Sequence, residues 1–470
     1  MPADRASTGG TRQRLDRPPR HAGPWRPVET LPSPAVARLA AALAEGAGRA
    51  AALEDFWCAA RRAGTPLVEP DPRGDPGRRA VTFLWRGGRD TTDVLLAVNR
   101  LYDRADPASA RMRHLPGTDL WHLCYRLRAD HLGSYRIAPL SHGEPLPTTA
   151  PTGEAMGLRG WLDRRGTRDP LNPRTLTTRW GGAPSSLFAL PHAPRTPGPP
   201  VRPHTPAGAV RRHRLTLAGA AREVWSYLPP GHPGPGAAAG LVLLFDGDMW
   251  FPHLRLGELL DGLLAEGRIP PLAVLAPSAV DTATRFRELG EPQRYLPQLT
   301  EGLLPFAART LGVPAGPERT LVAGQSLGGL AALYAALTLP GRFGHVLAQS
   351  SSLWWAPPDE PGQEPPGPSG RAGAPGAAGR GGTPGADEAE GASWMSAQWA
   401  AVPPRGTRLR LQVGRYEGPM VAQARRLRDV LRQGGYEAEL TVYTGGHDYA
   451  WWSAGLARGL ADLTARWAAR

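Results

Sequence analysis

The run Gly324-Gln325-Ser326-Leu327-Gly328 satisfies the pattern G-x-S-x-G. It follows an apolar, β-forming stretch at 320–323 and precedes the helix-forming Leu330-Ala331-Ala332-Leu333-Tyr334. That context predicts a sharp strand-to-helix turn, crowded enough to need glycines on both sides, which aims the hydroxyl outward at the carboxyl edge of a sheet. A Gly-rich structural turn is the plain alternative, and the strand and helix flanks weigh against it. A serine hydroxyl is a poor nucleophile at neutral pH and needs a base held by a third group. In folds that carry this turn the chain order is serine, acid, histidine. His447, in Gly445-Gly446-His447-Asp448 directly after the last predicted strand, has the address of the base. Glu417, in Gly414-Arg415-Tyr416-Glu417 after the preceding strand, is the preferred acid. Asp448 is nearer in sequence, but a side chain adjacent to a histidine generally cannot swing round to its neighbour's ring nitrogen. Surface pairing with Arg415 or Arg425 is the alternative for Glu417.

An oxyanion formed at such a serine needs backbone amides from two places, the residue after the nucleophile and the loop after an earlier strand. Leu327 supplies the first. Asp246-Gly247-Asp248-Met249 follows the apolar strand at 241–245, and Gly247 and Asp248 are candidates for the second. The same Asp-Gly pair also reads as an ordinary tight turn.

The elements that must hold these residues form an alternation. Buried apolar strands at 223–228, 241–245, 272–276, 320–323, 345–349, 408–413 and 437–443 alternate with helices at about 254–266, 295–311, 327–339 and 419–433 and a closing helix after Trp452. Such a rhythm gives a parallel sheet with helices on both faces, here the α/β-hydrolase arrangement over 210–470. The first half differs. Short β-forming runs at 80–86, 93–98, 120–126 and 134–137 are separated by turn residues, which predicts a small antiparallel β domain over 51–140, most simply an immunoglobulin-like sandwich. Residues 1–50 read as a mobile basic leader passing into an Ala-rich helix from Ala35, and 141–209 as a loop-rich connector. The interval 357–391 is almost all Pro, Gly, Ala and charge, too poor in apolar surface to fold, and reads as a disordered insertion.

Composition narrows the partners. Of 470 residues, 41% are hydrophobic, enough for conventional cores, while 58 Gly and 52 Pro concentrate in linkers. The net charge of +13 is carried wholly by arginine, for the chain has no lysine. Residues 1–50 hold eight Arg against four acids and the rest is scattered, so no basic recognition element for nucleic acid emerges, whereas a diffuse excess suits an anionic small substrate. No secretory signal is visible, and the most membrane-like stretch, 35–53, is interrupted by Arg38, Glu45 and Arg49. Two cysteines, Cys58 and Cys124, make neither a disulfide framework nor a Cys-rich zinc site. The expectation is a soluble, cytoplasmic protein.

Several runs together resemble the enterochelin esterases, hydrolases of catecholate siderophore trilactones. They are LLFDGDMW at 243–250, DTATRFREL at 281–289, VAGQSLGGLAALYAAL at 322–337, QSSSLWW at 349–355 and GGHDYAWW at 445–452. In the first half FWCAARRAGTPLVEP at 56–70, VTFLWRG at 81–87 and SYRIAPL at 134–140 resemble that family's N-terminal domain, and DPLNP at 169–173 its connector. The resemblance runs from about Leu53 to the C-terminus apart from 357–391. It implies hydrolysis of the ester bonds of a macrolactone such as ferric enterobactin, with Ser326, Glu417 and His447 on the triad positions. No cofactor is implied, iron arriving only within the siderophore. A tris-catecholate iron complex is a bulky anion that arginines and aromatic planes should meet. Arg285, Arg287, Trp250, Trp354 and Trp355 are candidates, and for each a surface arginine or packed tryptophan is the ordinary alternative. An esterase or acyltransferase for another ester, or a siderophore-binding protein without catalysis, are the rival functions.

Overall fold

The computed structural model describes residues 27–45, 48–103, 106–146, 157–180, 182–195, 206–217, 219–232, 238–313, 316–356 and 393–468. The stretch 357–391, read above as an insertion, lies outside them, as does 1–26 of the leader.

The first domain is a sandwich of two four-stranded sheets. One holds β1 (Leu67–Pro70), β2 (Arg78–Arg86), β4 (Arg113–His114) and β5 (Leu120–Arg128) in the order β1-β2-β5-β4. The other holds β3 (Thr91–Val98), β6 (Leu132–Ser141), β7 (Thr175–Leu176) and β8 (Ser185–Ala189) in the order β3-β6-β8-β7. All pairings are antiparallel, and the strand orders match the two-sheet arrangement of immunoglobulin-type sandwiches. Inward residues of both sheets, Val81, Phe83, Leu96, Tyr125, Tyr135 and Phe188 among them, form the filling. Phe83 meets Tyr135 edge-on at 4.7 Å and Phe188 at 5.6 Å.

Two sequence expectations change here. Residues 27–50 are not a free leader in their described part. Thr30 bridges to Tyr125, Ser33 caps the helix Pro34–Ala44 and accepts a hydrogen bond from Thr82 Oγ1 at 2.8 Å, and Val36, Leu39 and Leu43 pack with Trp57 and Leu84. This helix and its successor Arg49–Ala63 cover the outer face of the first sheet, which is why β2 is apolar on both faces. The connector is also more than loop, since β7 and β8 complete the second sheet. Asp169 and Asn172 of the DPLNP run are buried and knit it to the sandwich. Asp169 accepts from Thr65 Oγ1 at 2.6 Å and Tyr135 OH at 2.8 Å, and Asn172 donates to the Leu187 carbonyl at 2.8 Å.

The second domain is built on an eight-stranded sheet in the order β16-β15-β14-β13-β11-β12-β10-β9. Its strands are β9 (Ala209–Leu217), β10 (Ala220–Leu228), β11 (Gly240–Leu244), β12 (Leu272–Pro277), β13 (Thr320–Gln325), β14 (His345–Gln349), β15 (Arg408–Gly414) and β16 (Glu437–Tyr443). From β12 to β16 neighbours are parallel, and the near-continuous apolar strands are covered on both faces by helices. The run at 223–228 belongs to β10, which with β9 forms an antiparallel hairpin at the edge. β9 carries Arg211, Arg212 and Arg214, all exposed as an edge strand allows, and reads weakly as a strand for that reason. No described helix is long and apolar enough to cross a membrane.

Candidate active site

The carboxyl ends of β11, β13, β14, β15 and β16 converge on one edge, and the sequence candidates lie in the loops there. Ser326 sits between β13 and the helix Leu327–Thr338 at φ 57°, ψ −118°, a conformation that side-chain-bearing residues rarely adopt. The turn tolerates it because its backbone is pinned: Ser326 N donates to the Gln349 carbonyl at 2.9 Å, and its own carbonyl accepts from Ser352 N at 3.1 Å. Glycine is required at 324, where a Cβ would stand 2.3 Å from the Gly328 carbonyl oxygen. Leu327 begins the helix, so its amide is one of those with no intrahelical acceptor.

Glu417 and His447 meet as the chain order suggested. His447 Nδ1 lies 2.6 Å from Glu417 Oε2, and the Glu417 side chain is fully buried. The other carboxylate oxygen accepts from Ser350 Oγ and Gly414 N, each at 2.6 Å, and Ser350 Oγ in turn accepts from Trp452 Nε1 at 2.9 Å. The acid is held by fixed donors rather than by a surface arginine, which decides against pairing with Arg415 or Arg425. Asp448 is engaged elsewhere. It caps the helix Tyr449–Thr464 through Ala450 N and accepts from Ser134 N at 2.7 Å and Ser134 Oγ at 2.8 Å. Burial pushes its carboxyl above the usual range. Asn99 Nδ2 donates to the His447 carbonyl at 3.0 Å, so two residues of the sandwich brace the histidine loop.

The Asp246–Met249 segment turns sharply, with Asp246 at φ 63°. Gly247 lies against β12, where a Cβ would come 2.2 Å from the Ala276 carbonyl oxygen. The Asp248 carboxylate accepts from Ala279 N at 2.9 Å and pairs with Arg179 Nε at 2.7 Å. The Asp248 side chain is thus engaged, which leaves the backbone amides of Gly247 and Asp248 as this loop's candidate donors.

Three of the proposed substrate contacts are interior instead. Arg285 is buried, with Nε and Nη2 reaching the two Asp246 oxygens at 2.6 and 2.7 Å and Nη2 also donating to the Gln325 carbonyl at 3.2 Å. It orients the loop behind the elbow. Trp250 is fully buried and donates to Gln325 Oε1 at 2.9 Å, and Trp355 is buried with its indole on the Gly290 carbonyl at 2.6 Å. Trp354 is half-buried against the main core. Arg287 is exposed, donating to Thr284 Oγ1 at 3.1 Å.

Sequence reasoning missed a buried amide chain beneath the site. Gln325 donates to Gln349 Oε1 at 2.8 Å, Gln349 to Gln412 Oε1 at 2.7 Å, and Gln412 to the Gly455 carbonyl at 2.9 Å. These residues end or nearly end β13, β14 and β15, and a buried Gln in each of three apolar strands was the available signal. Also missed were Ser350 and the connector's Arg179 and Trp180. A cavity of about 570 Å³ opens between the domains, lined by Arg174, Leu187 and Arg195 from the first and His253, Arg255 and Tyr449 from the second.

The strand-to-helix serine, the loop histidine with its buried glutamate and the parallel sheet are the arrangement of the α/β-hydrolase class. A family model described as putative esterase matches residues 217–463, and one described as the enterochelin esterase N-terminal domain matches residues 80–198. The chain is 35% identical to the iron(III) salmochelin esterase of Escherichia coli O6:H1, over 89% of this chain and 95% of that protein. It is 30% identical to the iron(III) enterobactin esterase of Dickeya dadantii, over 86% and 92%. Among solved structures, ferric enterobactin esterase of Salmonella typhimurium superposes with a TM-score of 0.69 at 27% identity, covering 87% of this chain and 98% of that one. The enterobactin esterase of Shigella flexneri crystallised in the presence of enterobactin gives 0.67 at 26% identity, covering 87% and 97%. The chain belongs to the enterochelin esterase family.

Proposed function

We propose that this chain hydrolyses the ester bonds of a catecholate siderophore macrolactone, in its ferric form, its apo form or both, and so releases iron in the cytoplasm. The observation that carries this is the Glu417–His447 pair at 2.6 Å on the same carboxyl edge of the sheet as the Ser326 turn, in a chain whose two domains both match the family. His447 takes the proton of Ser326 Oγ as that oxygen attacks the ester carbonyl, and returns it to the departing alkoxide. Glu417, held by Ser350 Oγ and Gly414 N through its other oxygen, fixes the imidazole through Nδ1 and stabilises the imidazolium that forms. The amides of Leu327 and of Gly247 or Asp248 receive the oxyanion. Water then cleaves the acyl-enzyme by the same steps in reverse. No cofactor enters this chemistry, and iron is cargo of the substrate. Free thiols at Cys58 and Cys124 suit a reducing compartment.

The test is a product profile. The purified protein is incubated with apo and ferric cyclic tri-esters of catecholamide-serine type and with an aliphatic ester, and products are followed by mass spectrometry. Linear trimers and their fragments are expected; turnover of the aliphatic ester alone would assign the site to another substrate.

A further inference from the structure

We propose that Trp180, delivered by the connector onto the rim of the hydrolase domain, is a stacking platform for a catecholate ring of the substrate. The assignment rests on the function proposed above and adds a residue that fixes its selectivity.

Trp180 is 40% exposed, and among the described residues no other Trp, Tyr or Phe is left so open. Exposure alone would mean little, but this ring is held in place. The Arg179 guanidinium lies 4.6 Å from its centroid and that of Arg285 5.5 Å. Its side chain also lies beside Tyr449. Further back, Thr177 Oγ1 and His253 Nδ1, 3.1 Å apart, fasten the segment to the hydrolase domain. A flat ring already fixed in one orientation loses little conformational freedom when a ligand stacks on it.

The position is beside the chemistry by two routes. Through Tyr449, whose ring packs 4.7 Å from Trp452, it joins the ring that stands 4.8 Å from the His447 imidazole. Through Arg179 and Arg285 it joins Asp248 and Asp246 of the amide loop, and Arg285 also reaches the carbonyl of Gln325, the residue before the nucleophile.

Both guanidinium groups already pair with carboxylates, which offsets most of the positive charge this corner would present to the trilactone. It offers a π-face. Two cations within 6 Å draw electron density from the indole, and an electron-poor indole stacks favourably on an electron-rich catecholate in the offset geometry aromatic pairs adopt. An aliphatic ester has no ring to place there.

The experiment compares Trp180→Ala and Trp180→Phe with the parent. Binding of the intact ferric trilactone is measured by calorimetry in a Ser326→Ala background, and turnover of the trilactone and of a ringless alkyl ester such as ethyl butanoate in the otherwise native chain. Trp180→Ala should raise Kd and KM for the trilactone about tenfold and lower the trilactone-to-aliphatic selectivity by a similar factor, with most of both recovered in Trp180→Phe. Unchanged trilactone affinity, or an equal loss on both esters with a lowered Tm, would overturn the proposal by making Trp180 a bystander or a packing residue. A parent that binds the trilactone without cleaving it would sink the proposed function and leave this contact standing. A parent that does neither removes both.

Discussion

At the scale of single residues, the site separates two acids that sequence alone could only rank. Glu417 faces His447 Nδ1 with its remaining lone pairs taken by Ser350 and Gly414. Glu417→Gln should therefore lower kcat by about 10³–10⁴-fold with KM nearly unchanged, because the amide can no longer stabilise the imidazolium. Asp448 spends its carboxylate on Ser134 and Ala450. Asp448→Asn should cost about 1–3 kcal/mol of stability, the loss of a charge-assisted acceptor, and disturb kcat less than the Glu417 change does. Steady-state kinetics on one ester together with urea melts of both variants check this, and a severe kinetic defect confined to Asp448→Asn would reverse the assignment. That Ser326, Glu417 and His447 lie in loops after strands of one sheet was legible because loop position after a strand is a topological fact that survives without coordinates. Which arginines and tryptophans meet solvent was not. Trp250 and Trp180 are both loop tryptophans in sequence, and only the packing of Trp250 onto Gln325 tells the buried one from the open one.

The elements around the serine act as a clamp. Arg285, from the helix Thr282–Gly290, holds Asp246 at the end of β11 while touching the last residue of β13. Removing one partner of a buried ion pair strands the other, at a cost of about 3–5 kcal/mol, so Arg285→Leu should lower the urea midpoint sharply and reduce kcat through the displaced amide loop. Arg287, two residues along and exposed, should change stability by less than about 0.5 kcal/mol when replaced by Leu. Equal midpoints for the two variants would contradict the clamp. The parallel strands were readable from their apolar runs. β7 and β8 were not, because short strands among prolines and glycines show no period until the sheet they complete is known. β9 hid for the opposite reason, its arginines masking the alternation of an edge strand.

In the whole molecule the sandwich is a working part of the hydrolase domain, since Asn99 and Ser134 hold the histidine loop, Arg179 pairs with Asp248 of the amide loop and Trp180 lies under Arg285. His131 lies in this seam, stacked on Tyr416 at 5.3 Å and tilted against Phe188 at 5.0 Å, and burial lowers its pKa to about 3. His122 in the same domain is lowered to about 4, mainly by burial. A histidine depressed in the fold contributes stability that is complete above its unfolded pKa near 6.5 and is lost as pH falls toward the folded value. The parent's Tm should thus drop between about pH 6.5 and 4, and His131→Phe should flatten that drop, leaving the His122 share. An identical pH profile in the variant would place the acid sensitivity elsewhere. The claim on which all of this depends is that Ser326 is the nucleophile of a siderophore esterase. It is tested most directly by the rate at which the ferric tri-ester is converted to linear products by the parent and by Ser326→Ala at matched concentration and Tm. A loss on the order of 10⁴-fold or more is expected, whereas linear product formed at the parental rate by the alanine variant would contradict it.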